Sequence, residues 1–185
     1  MTSRTYTIRG KLTCADGELV APSILNESHI LSYASVDRTR AWKLRAWWVW
    51  PITVRAETGS TDGQLQMDAA LWTDTKRLAG ASAFNTMLDP SENRSVGWLQ
   101  AGYKIEADAT GDFLASQSRG EIPRGIVDED RLITDNLFIS LQTSSASGTK
   151  PIREWGFMVV LDQVKVSPLE SVVQQLKGVG QDLEN

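Results

Sequence analysis

Residues 42–50, Trp-Lys-Leu-Arg-Ala-Trp-Trp-Val-Trp, alternate with a period of two. The alternation sets Trp42, Leu44, Ala46, Trp48 and Trp50 on one face and Lys43, Arg45, Trp47 and Val49 on the other. Successive side chains of a strand point to opposite faces, so this run reads as a β-strand. Apolar groups on both faces predict a strand covered on both sides. The phase of Leu44 and Ala46 predicts that Trp42, Trp48 and Trp50 are core residues, and it leaves Trp47, with Trp72, for an interface or a ligand. Pro51 has no N–H for a ladder, so an interruption is expected there, with the strand resuming through Ile52 and Val54.

The same period recurs along the chain. Residues 5–13 set Tyr6, Ile8 and Leu12 against Arg9 and Lys11, and residues 64–73 set Leu65, Met67, Ala69 and Leu71 against Gln64, Gln66 and Asp68. Residues 95–106 offer Leu99, Ala101, Tyr103 and Ile105, and residues 132–141 offer Ile133, Leu137, Ile139 and Leu141. In residues 152–166, Met158, Val160, Val164 and Val166 oppose Trp155, Phe157, Val159 and Leu161, with Val160 expected in the core. Turn-forming clusters separate these runs: Asp16-Gly17, residues 59–63, residues 110–112 and residues 144–148. The connections 73–94 and 107–131 are long, which suits a sandwich with elaborated corners, and 75–88 are read as a short helix. No fixed repeat disturbs this pattern.

After residue 167 the pattern changes. Ser167-Pro168-Leu169-Glu170 is a capping box with Pro at the first helical position. Leu169, Val172, Val173 and Leu176 follow at helical spacing, and Gly178 and Gly180 close the segment. The expected organisation is a β-sandwich over 1–167 and a helical tail over 168–185. An isolated helix this short is marginal in water, so its apolar stripe needs a partner surface.

Composition excludes several classes. With 185 residues, 41% hydrophobic and 23% charged, the chain is neither disordered nor collagenous. Cys14 is the sole cysteine and His29 the sole histidine, which excludes a disulfide scaffold and a four-ligand zinc site. The first ten residues hold no apolar run of the kind that marks a signal peptide, so a soluble protein made in a reducing cytoplasm is expected. Catalytic chemistry has little to build on: there is no nucleophile elbow, and His29 reads as an edge or hydrogen-bonded imidazole. A cupin-type enzyme needs several histidines. No catalytic residue is assigned, and the chain is read as a non-enzyme.

Charge is unevenly distributed, at +4 over residues 1–56 and −5 over residues 106–135. Arg38, Arg40, Lys43 and Arg45, with Trp47, form a basic, aromatic-bearing strip of the kind that binds phosphates and stacks bases. The plain alternative is a solvated strand face. Asp128, Glu129 and Asp130 cluster in the acidic region, either as a solvated loop or as oxygen ligands for Ca²⁺ shared between subunits. Phe84, Met87, Leu88, Phe113 and Leu114 lie in the long connections and are candidates for an interface. Seven tryptophans against three Tyr and four Phe also fit a carbohydrate-binding β-sandwich, provided some are exposed.

Three stretches together resemble single jelly-roll capsid proteins of small icosahedral viruses, both of the circular single-stranded DNA and of the positive-strand RNA type. YASVDRTRAWKLRAWWVWP (33–51) is similar to a basic strand that runs into an aromatic-Pro end. GQLQMDAALWTD (63–74) looks like the next strand of those shells, and WGFMVVLDQVKVS (155–167) like their long last strand. The resemblance, over most of 30–167, implies an eight-stranded antiparallel jelly-roll sandwich; with the helix read from the capping box, the expected fold is all-β with a short C-terminal helix. The resemblance also implies self-assembly into an icosahedral capsid enclosing the genome, after synthesis in the host cytoplasm. The opposed charges of 1–56 and 106–135 suit a heterologous interface that closes into rings of five or six; no membrane partner is expected, and no cofactor beyond interfacial Ca²⁺. Many such proteins carry an Arg-rich N-terminal arm, whereas the first eleven residues here hold only Arg4, Arg9 and Lys11. Genome contact is therefore expected on a basic inner face of the sandwich, or not at all.

Overall fold

The computed structural model describes residues 4–13, 26–32, 39–53, 63–73, 94–107, 113–117, 122–145 and 154–180. Ten strands and one helix lie in these segments. They are β1 (Thr5–Thr13), β2 (Asn26–Ser32), β3 (Arg40–Thr53), β4 (Gly63–Trp72), β5 (Ser95–Ala107), β6 (Phe113–Gln117), β7 (Ile126–Val127), β8 (Leu132–Ile133), β9 (Asn136–Ser145), β10 (Glu154–Lys165) and α1 (Pro168–Gly180). The short helix expected at 75–88 lies outside the described residues.

The strands form two antiparallel sheets. The first has the order β1-β10-β3-β8; the second runs β2-β9-β4-β5-β6, with β7 also paired to β5. Without the short β6 and β7, the first sheet takes the first, eighth, third and sixth strands in chain order. The second then takes the second, seventh, fourth and fifth. The chain thus changes sheet at nearly every connection, as two interlocked Greek keys do, and the fold is a jelly roll. β6 and β7 add to the expected eight strands, both along the outer edge of β5. The run expected at 132–141 is two strands, because Thr134 and Asp135 turn the chain from the first sheet into the second.

The core lies between the sheets. It gathers Leu12 of β1, Leu44, Trp47 and Val49 of β3, Met67, Ala69 and Leu71 of β4, Leu99 and Tyr103 of β5, Leu137, Ile139 and Leu141 of β9, and Trp155, Phe157, Val159 and Leu161 of β10. Alternation predicts the inward faces of β4 and β9 correctly. It fails at β3, and a β-bulge is the reason. Val160 pairs with Ala46 and Leu161 with Leu44, so Arg45 has no opposing residue. One extra residue reverses the alternation. Leu44 faces the core before the bulge, and Trp47 and Val49 face it after.

Two expectations are corrected by this. Trp47 is the fully buried tryptophan of β3, while Trp48 and Trp50 are half-buried on the outer face. Val160 is likewise half-buried, because the inward set of β10 is Trp155, Phe157, Val159 and Leu161. β3 also runs through Pro51 without interruption. Pro51 pairs with Trp155 and Thr53 with Glu154, leaving Ile52 as a second bulged residue, where a missing ladder donor is tolerated.

Candidate nucleic-acid interface

The outer face of the first sheet is built by three strands in register. Lys11, Gly156 and Trp50 form one row, and Arg9, Met158 and Trp48 the next. Arg124 extends the second row, because it bridges to Trp48 from the chain segment beyond β3. Two rows further along, Thr5, Asp162 and Lys43 stand side by side. Arg9, Lys11, Arg45 and Arg124 are exposed and Lys43 is half-exposed. Of the strand carboxylates here, Asp162 accepts from Thr5 Oγ1 at 2.7 Å and lies 3.9 Å from the Arg45 guanidinium. The Arg45 side chain stays 64% exposed, so this ion pair leaves most of it facing water.

The aromatic part of this face owes its position to a glycine. A Cβ on Gly156 would stand 2.6 Å from Trp50 Cε2, so only glycine lets the indole lie down across β10. Trp50 therefore covers the middle strand and stays half-buried instead of standing up as an isolated ring. Cations flanking half-buried indoles match what a flexible single strand needs: phosphate charges to pair and a flat apolar surface for bases.

The structure regroups the residues expected from sequence. Lys43 and Arg45 belong to this face, Arg40 is exposed at the start of β3, and Arg38 lies outside the described residues. Trp47 leaves the strip for the core, where its Nε1 donates to the Ile126 carbonyl at 3.1 Å. Arg9, Lys11, Trp48 and Trp50 take their places in the face. Their membership depends on cross-strand register between residues more than a hundred positions apart. The one local signal was the alternation of Arg9 and Lys11 against Ile8 and Leu12.

The other expected residues do not converge. Asp128 Oδ1 accepts the Asp130 amide at 3.0 Å, closing a local turn, and Glu129 and Asp130 are exposed. Among the described residues no group of three or more His, Cys, Asp or Glu side chains is placed to hold a metal ion. Phe113 and Leu114, expected in the long connection 107–131, belong to β6 and pair with Ala107 and Glu106 of β5. Phe84, Met87 and Leu88, like Cys14, lie outside the described residues. His29 is hydrogen-bonded to Asn136 Oδ1 at 3.0 Å and stacks on Phe138 at 4.5 Å between ring centroids.

A polar group that alternation alone marks as outward is buried on the far face of the second sheet. Asp68 is 4% exposed and accepts from Gln66 Nε2 at 3.1 and 3.2 Å and from Gln100 Nε2 at 3.1 Å. Its carboxylate oxygens are occupied by amide donors, which suits a structural anchor. Among the described residues no helix is long and apolar enough to cross a membrane.

No family model matches the chain, and no curated protein does. Among solved structures, it is similar to a chain of turnip yellow mosaic virus, at 7% identity and a TM-score of 0.30 over 90% of this chain and 97% of that one. It is also similar to a chain of desmodium yellow mottle tymovirus, at 10% identity and a TM-score of 0.34, covering 90% of this chain and 91% of the other. Likeness at this level carries no weight for family or function; the jelly-roll assignment stands on the strand order.

Proposed function

We propose that the chain is a structural subunit that self-assembles into an icosahedral viral capsid around a nucleic-acid genome, with the outer face of the first sheet as the genome contact. The observation that carries the reading is where the apolar excess lies. Among the described residues seven large hydrophobics are exposed; Tyr6 and Ile52 lie on β1 and β3, and the other five are Ile122, Ile126, Leu169, Val173 and Leu176, at 56%, 70%, 75%, 43% and 61%. These five sit on additions to the eight strands of the roll: the segment leading through β7, and α1. None of the five belongs to the core, and apolar surface of this kind marks contacts with other molecules. For a shell subunit the partner is another copy, meeting across heterologous interfaces that close into rings.

The basic face supports the second half of the reading. Its cations serve a polyanion held against the sheet. A carbohydrate-binding sandwich would instead grip sugar rings with exposed tryptophans. Of the seven, Trp47, Trp72 and Trp155 are buried and Trp42, Trp48, Trp50 and Trp98 half-buried; none is exposed. Light scattering of the purified chain across protein concentration, salt and Ca²⁺, with and without single-stranded nucleic acid, tests the proposal. Concentration-dependent growth to particles supports it; a strict monomer under every condition contradicts it.

A further inference from the structure

α1 turns its apolar stripe away from the domain. At about 100° per residue, Leu169, Val173 and Leu176 fall within about 60° of one another, and Ser171 lies on the opposite side. Ser171 is buried, and Gln174 Nε2 reaches the Asp130 carbonyl at 3.5 Å, so that side rests on the sandwich. The helix is anchored at its start, where Ser167 Oγ accepts the Glu170 amide at 3.1 Å and the Ser171 amide donates to the Ser167 carbonyl at 3.0 Å. A capped, docked helix whose best apolar face points into water lacks a partner.

The sequence of the helix says which partner fits. Glu170 and Lys177 are seven residues apart, so both positions lie on the same flank of the stripe, within about 20° of each other. A second copy of α1 packed antiparallel about a two-fold axis at Val173 places Leu169 against Leu176 of the other copy. It also sets Glu170 beside Lys177, twice by symmetry. A parallel pair would put this flank of the two copies on opposite sides of the contact, so that Glu170 and Lys177 would not meet. Antiparallel packing also brings the positive end of each helix dipole to the negative end of the other.

We propose that α1 is a two-fold contact between copies of this chain, an antiparallel helix pair centred on Val173 and fixed in orientation by Glu170 and Lys177. The inference rests on the reading of the chain as a self-associating subunit, and it names one surface by which copies meet. The contact is small. Three apolar side chains per helix cover far less than the ~800 Å² per partner of a standard stable interface. The pair is therefore weak on its own and acts alongside other contacts.

Cysteine cross-linking of the full chain tests it. In a Cys14→Ser background, Val173→Cys should give a disulfide-linked dimer on mild oxidation, because residues facing each other across a two-fold axis meet the short Cα separation that a disulfide requires. Ser32→Cys, an exposed position on β2, is the control, and the dimer yield at 173 should exceed it at least several-fold. Adding Glu170→Lys or Lys177→Glu singly should reduce the Val173→Cys yield, and the double exchange should restore it. Equal yields at 173 and 32, or a double exchange that fails to restore cross-linking, would overturn the pairing. Particles scored by microscopy in the same samples separate the two claims: shells without cross-links overturn only the helix pair, and cross-links without shells overturn only the shell.

Discussion

The Trp47 indole lies against Gly125, so close that a Cβ on that residue would overlap the ring. The Gly125 amide donates to the Trp47 carbonyl at 3.0 Å, and Trp47 Nε1 donates to the next residue's carbonyl, Ile126. One core side chain thereby fixes the strap that passes from the edge of the first sheet to β7 in the second. The strap also carries Arg124 onto the basic face and Ile126 into solvent.

Trp47→Ala should destabilise the fold by about 3–5 kcal/mol, through lost burial and the cavity left behind. Trp48→Ala, at a half-buried outer position, should cost clearly less. Chemical denaturation of the two variants checks the order. The reverse order would show that the phase of β3 after Arg45 is misassigned.

Gly125→Ala should lower the melting temperature although it adds only a methyl group, since the ring and the strap cannot both keep their places. The companion variant Gly102→Ala, where a Cβ meets nothing within 4 Å, should leave the melting temperature nearly unchanged.

These contrasts mark the limit of what local sequence shows. The strand periods, the capping box and the inward faces of β4 and β9 are written in nearest-neighbour patterns, and Glu170 does donate its amide to Ser167. The bulge at Arg45 is not. Nothing in Leu44-Arg45-Ala46 marks an extra residue, and the tryptophans on both phases of 42–50 made either alternation plausible. Trp50 above Gly156 and Trp47 above Gly125 are contacts between distant segments, so neither glycine announces its role. The basic face was half legible. Lys43 and Arg45 stood in one strip, but Arg9, Lys11 and Arg124 join them only through register with β10 and β3. The tail was read as an apolar stripe seeking a partner; that most of it faces solvent required the helix to be placed by Ser171.

Salt dependence checks the basic face. Affinity for single-stranded nucleic acid should fall with salt at a log–log slope of about −0.7 per neutralised phosphate. Reversing Arg9 and Lys11 should flatten the slope about as much as reversing Lys43 and Arg45, because all four share one surface. Arg9 and Lys11 variants that bind as tightly as the native chain would remove β1 from the interface.

Removing the helix cap should act locally. Ser167→Ala deletes the acceptor for the Glu170 amide and should weaken α1 by about 1 kcal/mol. Amide hydrogen exchange should show lost protection over residues 170–174, with the strands unaffected. Uniform loss across β10 as well would mean that the helix and the sandwich unfold as one unit.

Self-assembly is the claim on which the functional account turns, and negative-stain microscopy of the purified chain at high concentration, with single-stranded nucleic acid added, tests it most directly. The account predicts closed, uniform shells that disappear when Leu169, Val173 and Leu176 are replaced together with Ile122 and Ile126 by polar residues. A field of single subunits under every salt and Ca²⁺ condition, matched by monomer mass in solution, would contradict it.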